Sequence, residues 1–451
     1  MEDKQYIVVL EIASSHIAGI VAARTPGETD ASIVCYHEVP ISDSVRYGSI
    51  INVDEVCNKV SVLLSRIQMD GNIAPRRVKS VYLSLAGRSL HTETVEIERE
   101  LAEEEPVSRD FILQIKREAI AGFEEGRVLD VVPRSYQIDG AEVANPVGSV
   151  GSHLYAAMNA ILCRPQTRRN LQMVFDRLDI EVKGFVVTPL AVASSLLREE
   201  ERQLGCLLVD HGAETTTVSI YKNNRLMYLN VLPMGSRNIT KDLVALNIME
   251  ESAEKIKCNY GDAMSAGVDL EKLDIAGVSS LDVANYVTAR SGEIMENVYN
   301  QLKLAQFTPD QLPAGIVATG RGMRLKRMPD LLRSIFDLPV RIGQIDGVAD
   351  NSGLAGVPQL LSVVLEVSGY TESVNCMELM QLPDDMNPIE DEDEDEGDEV
   401  GINLSGRRQK AEQKSKRPGF MKRIFKSISS GLDTIYEGDD DDDENDNNQK
   451  K

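Results

Sequence analysis

The chain of 451 residues has no tryptophan, and aromatic side chains make up only 5% of it. No apolar run approaches the roughly 20 residues that a helix needs to cross a bilayer. The first residues, Met1-Glu2-Asp3-Lys4, lack the basic and then apolar order of a secretory signal. The six cysteines (35, 57, 163, 206, 258 and 376) stand singly, with no Cys-x-x-Cys and no Cys/His ligand spacing. That argues against a structural zinc site and against a disulfide framework. The five histidines (16, 37, 91, 153 and 211) have no Ser or Asp context that spacing could support, and no acid/base pair, nucleophile triad or metal cluster stands out. These absences point to the cytoplasm. Positive charge is also short, with 48 Lys and Arg against 72 Asp and Glu, a net of -24. Residues 384–451 hold 21 of those acids and 11 of those bases, a net of -10, which leaves -14 on the rest. An acidic body speaks against nucleic acid as a partner, because that needs a basic face.

The length is about three times the ~150 residues of a typical domain, so two or more folded units are expected, with ample core. From Tyr6 to about Leu365, short β-branched runs alternate with helix-like segments. The runs are Ile7–Leu10, Val186-Val187, Leu207–Val209 and Ile316–Ala318; the segments are Glu55–Gln68, Arg168–Leu178, Leu190–Arg202, Asp282–Leu304 and Arg324–Phe336. Alternation of this kind implies α/β layers. After residue 383 the composition changes. Residues 384–417 pass from acidic to basic, and 437–451 are acidic and Asn-rich; both read as disordered, a linker and a tail.

One internal echo concerns chemistry. Strand Ile7–Ile12 runs through Ala13-Ser14-Ser15-His16 into a second strand, Ile17–Ala23. About 200 residues later, Cys206–His211 runs through Gly212-Ala213-Glu214-Thr215 into Thr216–Tyr221. Each first strand ends near a carboxylate, Glu11 or Asp210. A tight hairpin of this kind turns backbone N–H groups toward one point and makes an anion nest. The carboxylate beside it can hold a hydrated magnesium ion through water. Two such hairpins face to face would clamp a nucleotide's phosphates, although two ordinary hairpins would read the same.

A second feature is amphipathic. In 418–436, Met421, Phe425, Ile428, Leu432 and Ile435 recur at spacings of 4, 3, 4 and 3, a helical stripe. Phe420 and Ile424 add apolar surface, and Lys422, Arg423 and Lys426 lie beside the stripe. Such a helix lies in a membrane interface, each basic residue near an anionic surface adding about 1 kcal/mol.

Longer stretches carry a family likeness. Asp210-x-Gly212-x-x-Thr215 resembles the second phosphate loop of the actin, heat-shock chaperone and sugar-kinase superfamily, and Ile316–Met323 resembles its adenosine motif. Val131–Gly140, Asn145–Gly151, Met234–Leu243 and Ala253–Lys257 resemble one member, the FtsA family of bacterial cell-division proteins, in order over about residues 5–365. The resemblance implies an actin-like two-lobed α/β fold with an inserted subdomain (1C). The first lobe core (1A) would be 1–83 with 164–203, the insert 84–163, the second lobe core (2A) 204–235 with 312–383, and its outer part (2B) 236–311. It further implies a peripheral protein on the cytoplasmic side of the inner membrane, at the division site. Its partners would be the C-terminal peptide of the tubulin-like FtsZ, other copies of itself, an anionic membrane surface and other division proteins. A pilus-assembly or chaperone-like ATPase of the same superfamily is the alternative.

The resemblance also assigns roles. ATP with magnesium would sit on Ser14, Ser15 and His16; on Asp210, Gly212 and Thr215; on Gly235, Glu254 and Lys255 beside base and ribose; and on Gly320, Gly322 and Met323 under adenine. Glu11 and Asp210 would hold magnesium through water. Arg290 and Glu293, three apart on one helix, would meet the FtsZ peptide. Several positions depart from the family pattern. Glu11-Ile12-Ala13 replaces Asp-x-Gly, Glu214 enters a glycine-rich loop, His211 replaces isoleucine, and Arg321 takes a glycine's place. Thr188 stands where chaperone relatives carry an acid that aids hydrolysis. The expectation is weak ATP binding, and slow hydrolysis or none.

Overall fold

The computed structural model describes residues 4–28, 31–101, 105–265, 274–275, 277–345, 357–370 and 374–380. The expected linker, amphipathic helix and tail lie outside the described residues.

The echo in the sequence extends to two whole sheets. In the first, the order is Ala31–Pro40, His16–Arg24, Gln5–Ile12, Ser80–Leu85, Glu181–Val187. In the second, it is Arg225–Leu232, Thr216–Lys222, Cys206–His211, Ile316–Thr319, Val340–Ile342. Each begins as a three-stranded antiparallel meander, and two later strands add in parallel beside the meander's first strand. Parallel strands need crossovers and cover on both faces. All nine residues of His16–Arg24 are buried, and helices Val53–Met69 and Pro358–Ser368 both pack against that strand. Helix Val53–Met69 starts where Asn52 accepts from the amides of Asp54 and Glu55, and it buries Val56, Val60, Leu63, Leu64 and Ile67 as one stripe.

The segment 84–163 forms its own antiparallel sheet of His91–Glu100, Val128–Ile138, Ala141–Val143 and His153–Leu162, with helix Arg109–Ala121 packed on it and a separate core around Leu154 and Met158. It joins the edge of the second-lobe sheet where Asn230 pairs with His91. Arg225 fixes that edge, donating to the carbonyls of Arg134, Val143 and Ala144 at 3.2, 2.9 and 2.7 Å.

Three local readings change. The segment Leu190–Arg202 is two helices, Thr188–Leu196 and Glu199–Leu204, because Leu197 turns extended between them. Arg341 holds the break, donating to the Leu196 carbonyl at 2.7 Å and to both Glu201 oxygens at 2.6 Å. Arg324–Phe336 begins as a 3-10 turn, and the helix starts at Met328, after Arg327 in a left-handed conformation and with Pro329 in its first turn. The resemblance puts 357–380 in the second lobe, yet helix Pro358–Ser368 packs on the first-lobe sheet and Met377–Leu379 pairs with Arg76–Val78. Contacts about 300 residues apart leave no local pattern to read.

Candidate functional site

The two hairpin turns meet at a cavity of about 550 Å³, a size that suits a nucleotide. Ser14, Ser15 and His16 line it from the first lobe, and Asp210, Gly212 and Thr215 from the second. Each turn is closed by its own backbone bond, Ala13 N to His16 O at 2.9 Å and Gly212 N to Thr215 O at 2.8 Å. Ser14 Oγ accepts from Gly48 N at 3.1 Å. Ser236 N and Arg237 N, at the start of helix Ser236–Val244, donate to Gly212 O and Ala213 O at 3.0 and 2.7 Å. A Cβ on Gly235 would lie 2.4 Å from Ala213 O, so the approach of helix to loop needs glycine there. Gly320 has φ +93°, and a Cβ on it would sit 2.4 Å from His211 O.

Glu11 and Asp210 both line the cavity. Burial and then the Glu11 charge push the Asp210 carboxyl up to about 7, opposed by Gln359, which donates to Asp210 Oδ1 at 2.8 Å. His16 Nε2 lies 3.7 Å from Glu11. Two carboxylates at one end of a cavity, one of them starved of positive charge, fit a hydrated magnesium ion.

On the opposite wall, Glu254 lines the cavity, but Lys255 points outward and pairs with Glu251 at 2.7 Å. Lys257 takes the inward place. It is 6% exposed and donates to Ser236 O, Thr240 Oγ1 and Glu254 Oε2 at 3.2, 2.9 and 2.7 Å. Sequence reasoning missed Lys257, although its i,i+3 spacing puts it on Glu254's face of the helix. Gly320 and Gly322 line the cavity, and Met323 sits beneath them in the second-lobe core. Thr188 also lines it, and its buried hydroxyl has no partner. A threonine can orient a water but cannot remove its proton near neutral pH.

Two of the residues that depart from the family pattern, Glu214 and Arg321, span the cleft. Glu214 is 3% exposed and reaches the first lobe, where Oε2 accepts from Tyr47 N at 2.7 Å and Oε1 lies 2.9 Å from Arg46 Nε. The Arg46 ion pair lacks the alignment of a hydrogen bond. Arg237 stands 3.5 Å from Glu214 and also reaches Asp43 of the first lobe at 3.2 Å. Arg321 crosses elsewhere, holding Glu38 with bonds of 2.8 and 2.5 Å and Tyr36 at 3.3 Å. This two-pronged bond from Arg321 draws the Glu38 carboxyl down to about 2. His211 is fully buried. Thr216 Oγ1 donates to Met234 O, so His211 Nδ1 donates to Thr216 at 2.8 Å, and Nε2, packed near Gly322, has no partner. Burial pushes this imidazole down to about 3, so it stays neutral.

Arg290 and Glu293 lie on helix Ser280–Leu304, as a pair at 2.5 Å. Arg290 also grips Asp242 with bonds of 2.5 and 3.1 Å, which ties this helix to Ser236–Val244. The membrane residues Phe420, Met421, Lys422, Arg423, Ile424, Phe425, Lys426, Ile428, Leu432 and Ile435 lie outside the described residues. Among the described residues, no helix is long and apolar enough to cross a membrane.

Two sheets of one topology with a cavity where their hairpin turns meet define the actin-like class. A solved structure titled "PilM-PilN type IV pilus biogenesis complex" shares this fold, with a TM-score of 0.57 at 15% identity, over 81% of this chain and 98% of that one. The family model "Cell division protein FtsA" matches residues 207–364, and "SHS2 domain inserted in FTSA" matches 87–162. Curated relatives named "Cell division protein FtsA" include those of Porphyromonas gingivalis, 29% identical over 75% of this chain and 73% of the relative, and Neisseria meningitidis, 29% identical over 78% and 87%. The relative from Bacillus subtilis is 26% identical over 79% and 83%. The chain belongs to the FtsA family. A role in cell division follows from that membership.

Proposed function

We propose that this chain is a division adaptor that binds FtsZ, assembles with copies of itself into actin-like filaments, and tethers them to the cytoplasmic face of the inner membrane. Its membrane element is the basic amphipathic stretch 418–436. Its cleft binds ATP with magnesium weakly and turns it over slowly or not at all.

The observation that carries the adaptor reading is the apolar stripe from Met421 to Ile435, edged by Lys422, Arg423 and Lys426, in a chain of this family. Sugar kinases and heat-shock chaperones have no need of such a segment. Weak nucleotide binding is supported by Glu214, a carboxylate in the cavity lining beside the second phosphate loop, and by Thr188 where an acid would be needed. The Arg290–Asp242 grip qualifies the peptide site, because reversing Arg290 would also loosen two helices. Glu293, half exposed with Arg290 as its ion-pair partner, is the cleaner probe.

The test is co-sedimentation with anionic liposomes and FtsZ, with and without ATP, using the full chain and a chain ending at Ser415. The full chain should carry FtsZ to the vesicles and the shortened one should not. Equal flotation of both would refute the anchor. An FtsZ peptide that binds Glu293→Lys and the unaltered protein equally would remove Glu293 from the docking surface. A pull-down that recovers pilus proteins and no FtsZ would favour the pilus-assembly alternative.

A further inference from the structure

Outside the cleft, three metal-ligating side chains converge: the Cys35 thiol, a His37 ring nitrogen and an Asp70 oxygen lie within 4.8 Å of one another. They come from two elements. Cys35 and His37 are two apart on strand Ala31–Pro40 and so share a face of the sheet. Helix Val53–Met69 packs against this strand and ends at Asp70. The pairing of the strand with His16–Arg24 slips beside Cys35, where Val21 faces Cys35 but Ala22 faces Ile33. A bulge of this kind re-aims side chains, and bulges concentrate next to functional sites.

The carboxylate is oriented as a ligand would be. Asp70 Oδ1 accepts from Asn72 N and Nδ2 at 3.0 and 3.1 Å, which leaves Oδ2 facing His37 Nε2 at 3.1 Å. Hydrogen bonds that orient a ligating carboxylate are common around metal sites. A tetrahedral ion with bonds of ~2.0–2.3 Å sets its ligand atoms roughly 3.3–3.8 Å apart. The widest separation here must therefore close by about 1 Å, which side-chain rotation can supply. His37 and Asp70 are 28% and 19% exposed, so an ion can enter and keep a water as its fourth ligand.

We propose that Cys35, His37 and Asp70 bind one zinc-class transition-metal ion, with Asn72 as a positioning residue. A set of one thiolate, one imidazole and one carboxylate suits a borderline-soft cation and offers too few oxygens for calcium or magnesium. Binding releases the thiol proton to solvent. Sequence spacing hid the site, because Asp70 is far from the other two ligands along the chain. The alternate positions of the same strand, Tyr36 and Glu38, hold Arg321 across the cleft. A metal on one face would thus stiffen the strand that presents this contact on the other.

The test uses the full chain, stripped with chelator and then titrated with Zn²⁺ by calorimetry and with Co²⁺ by absorption. One equivalent of Zn²⁺ should bind, and Co²⁺ should show a thiolate charge-transfer band. Cys35→Ser should abolish the band, and both Cys35→Ser and His37→Asn should weaken Zn²⁺ binding by more than the ~10–100-fold expected for loss of a group that only orients a ligand, as in Asn72→Ala. Cys258→Ser, at an exposed thiol, should change neither. Uptake without a band, as weak binding to the acidic tail would give, overturns the proposal. So does equal affinity in His37→Asn, a partly exposed position that stays informative if Cys35→Ser misfolds.

Discussion

Replacing Glu214 with glutamine removes one charge and keeps the shape, so it tests whether the protein's own carboxylate competes with phosphate. Across the cleft Glu214 accepts from Tyr47 N at 2.7 Å and faces Arg46 at 2.9 Å, at 3% exposure. A charge-assisted bond of this kind contributes about 1.5–3 kcal/mol. Leaving a buried partner uncompensated can cost ~3–5 kcal/mol. The smaller figure applies, because Arg46 is 29% exposed and Arg237 keeps Asp43 and Glu250 as partners. Glu214→Gln should therefore lower the melting temperature of the nucleotide-free protein by a few degrees, for a loss of about 2 kcal/mol. The effect on ATP has the opposite sign. For a phosphate charge placed ~5 Å from the carboxylate, an effective dielectric constant of ~20–40 gives a repulsion of about 2–3 kcal/mol. Removing even one such term should tighten ATP binding at least ~30-fold, since 1.4 kcal/mol is tenfold. Scanning calorimetry without nucleotide and a titration with a fluorescent ATP analogue read the two effects separately. A variant that melts as the unaltered protein does, or binds ATP no more tightly, would refute the reasoning.

Two further outcomes follow from the same cavity. Lys257→Ala should weaken nucleotide binding by roughly tenfold or more, because it removes a buried cation from the cavity wall, whereas Lys255→Ala should change it little; equal losses in a binding titration would contradict the placement. Asp210 sets a pH dependence. Its carboxyl is raised to about 7 in the folded protein from an ordinary 3.8, so between those values the folded state binds more proton than the unfolded. Its contribution is present below the lower value and is lost as pH rises through the upper one. In EDTA, melting temperature should fall from about pH 5 to pH 8 more steeply than in Asp210→Asn, and Mg²⁺ should recover more stability at the higher pH. Parallel profiles for the two proteins would remove Asp210 as the cause.

Much of the architecture is local and was readable along the chain. The β-branched runs, the two carboxylate-ended hairpins and the periodic helices depend on side-chain spacing of two or of three to four, which a sequence displays directly. The charge pattern around 418–436 is likewise a property of the string. Local spacing also placed Glu11 and Asp210 near the strand ends, and Gly212 and Thr215 in the turn, of two matching hairpins that the fold brings to one cavity. It failed where a distant residue decided the outcome. Arg341 breaks the helix that 190–202 would otherwise continue, and helix Pro358–Ser368 crosses to the first lobe. Glu214 and Arg321 read as damage to phosphate and adenosine loops. In the folded chain both grip the opposite lobe, through Arg46 and Tyr47 and through Glu38 and Tyr36. The physical reason is that a charge's partner is set by which surfaces meet, and surfaces of residues 167 to 285 apart meet only once both sheets have formed.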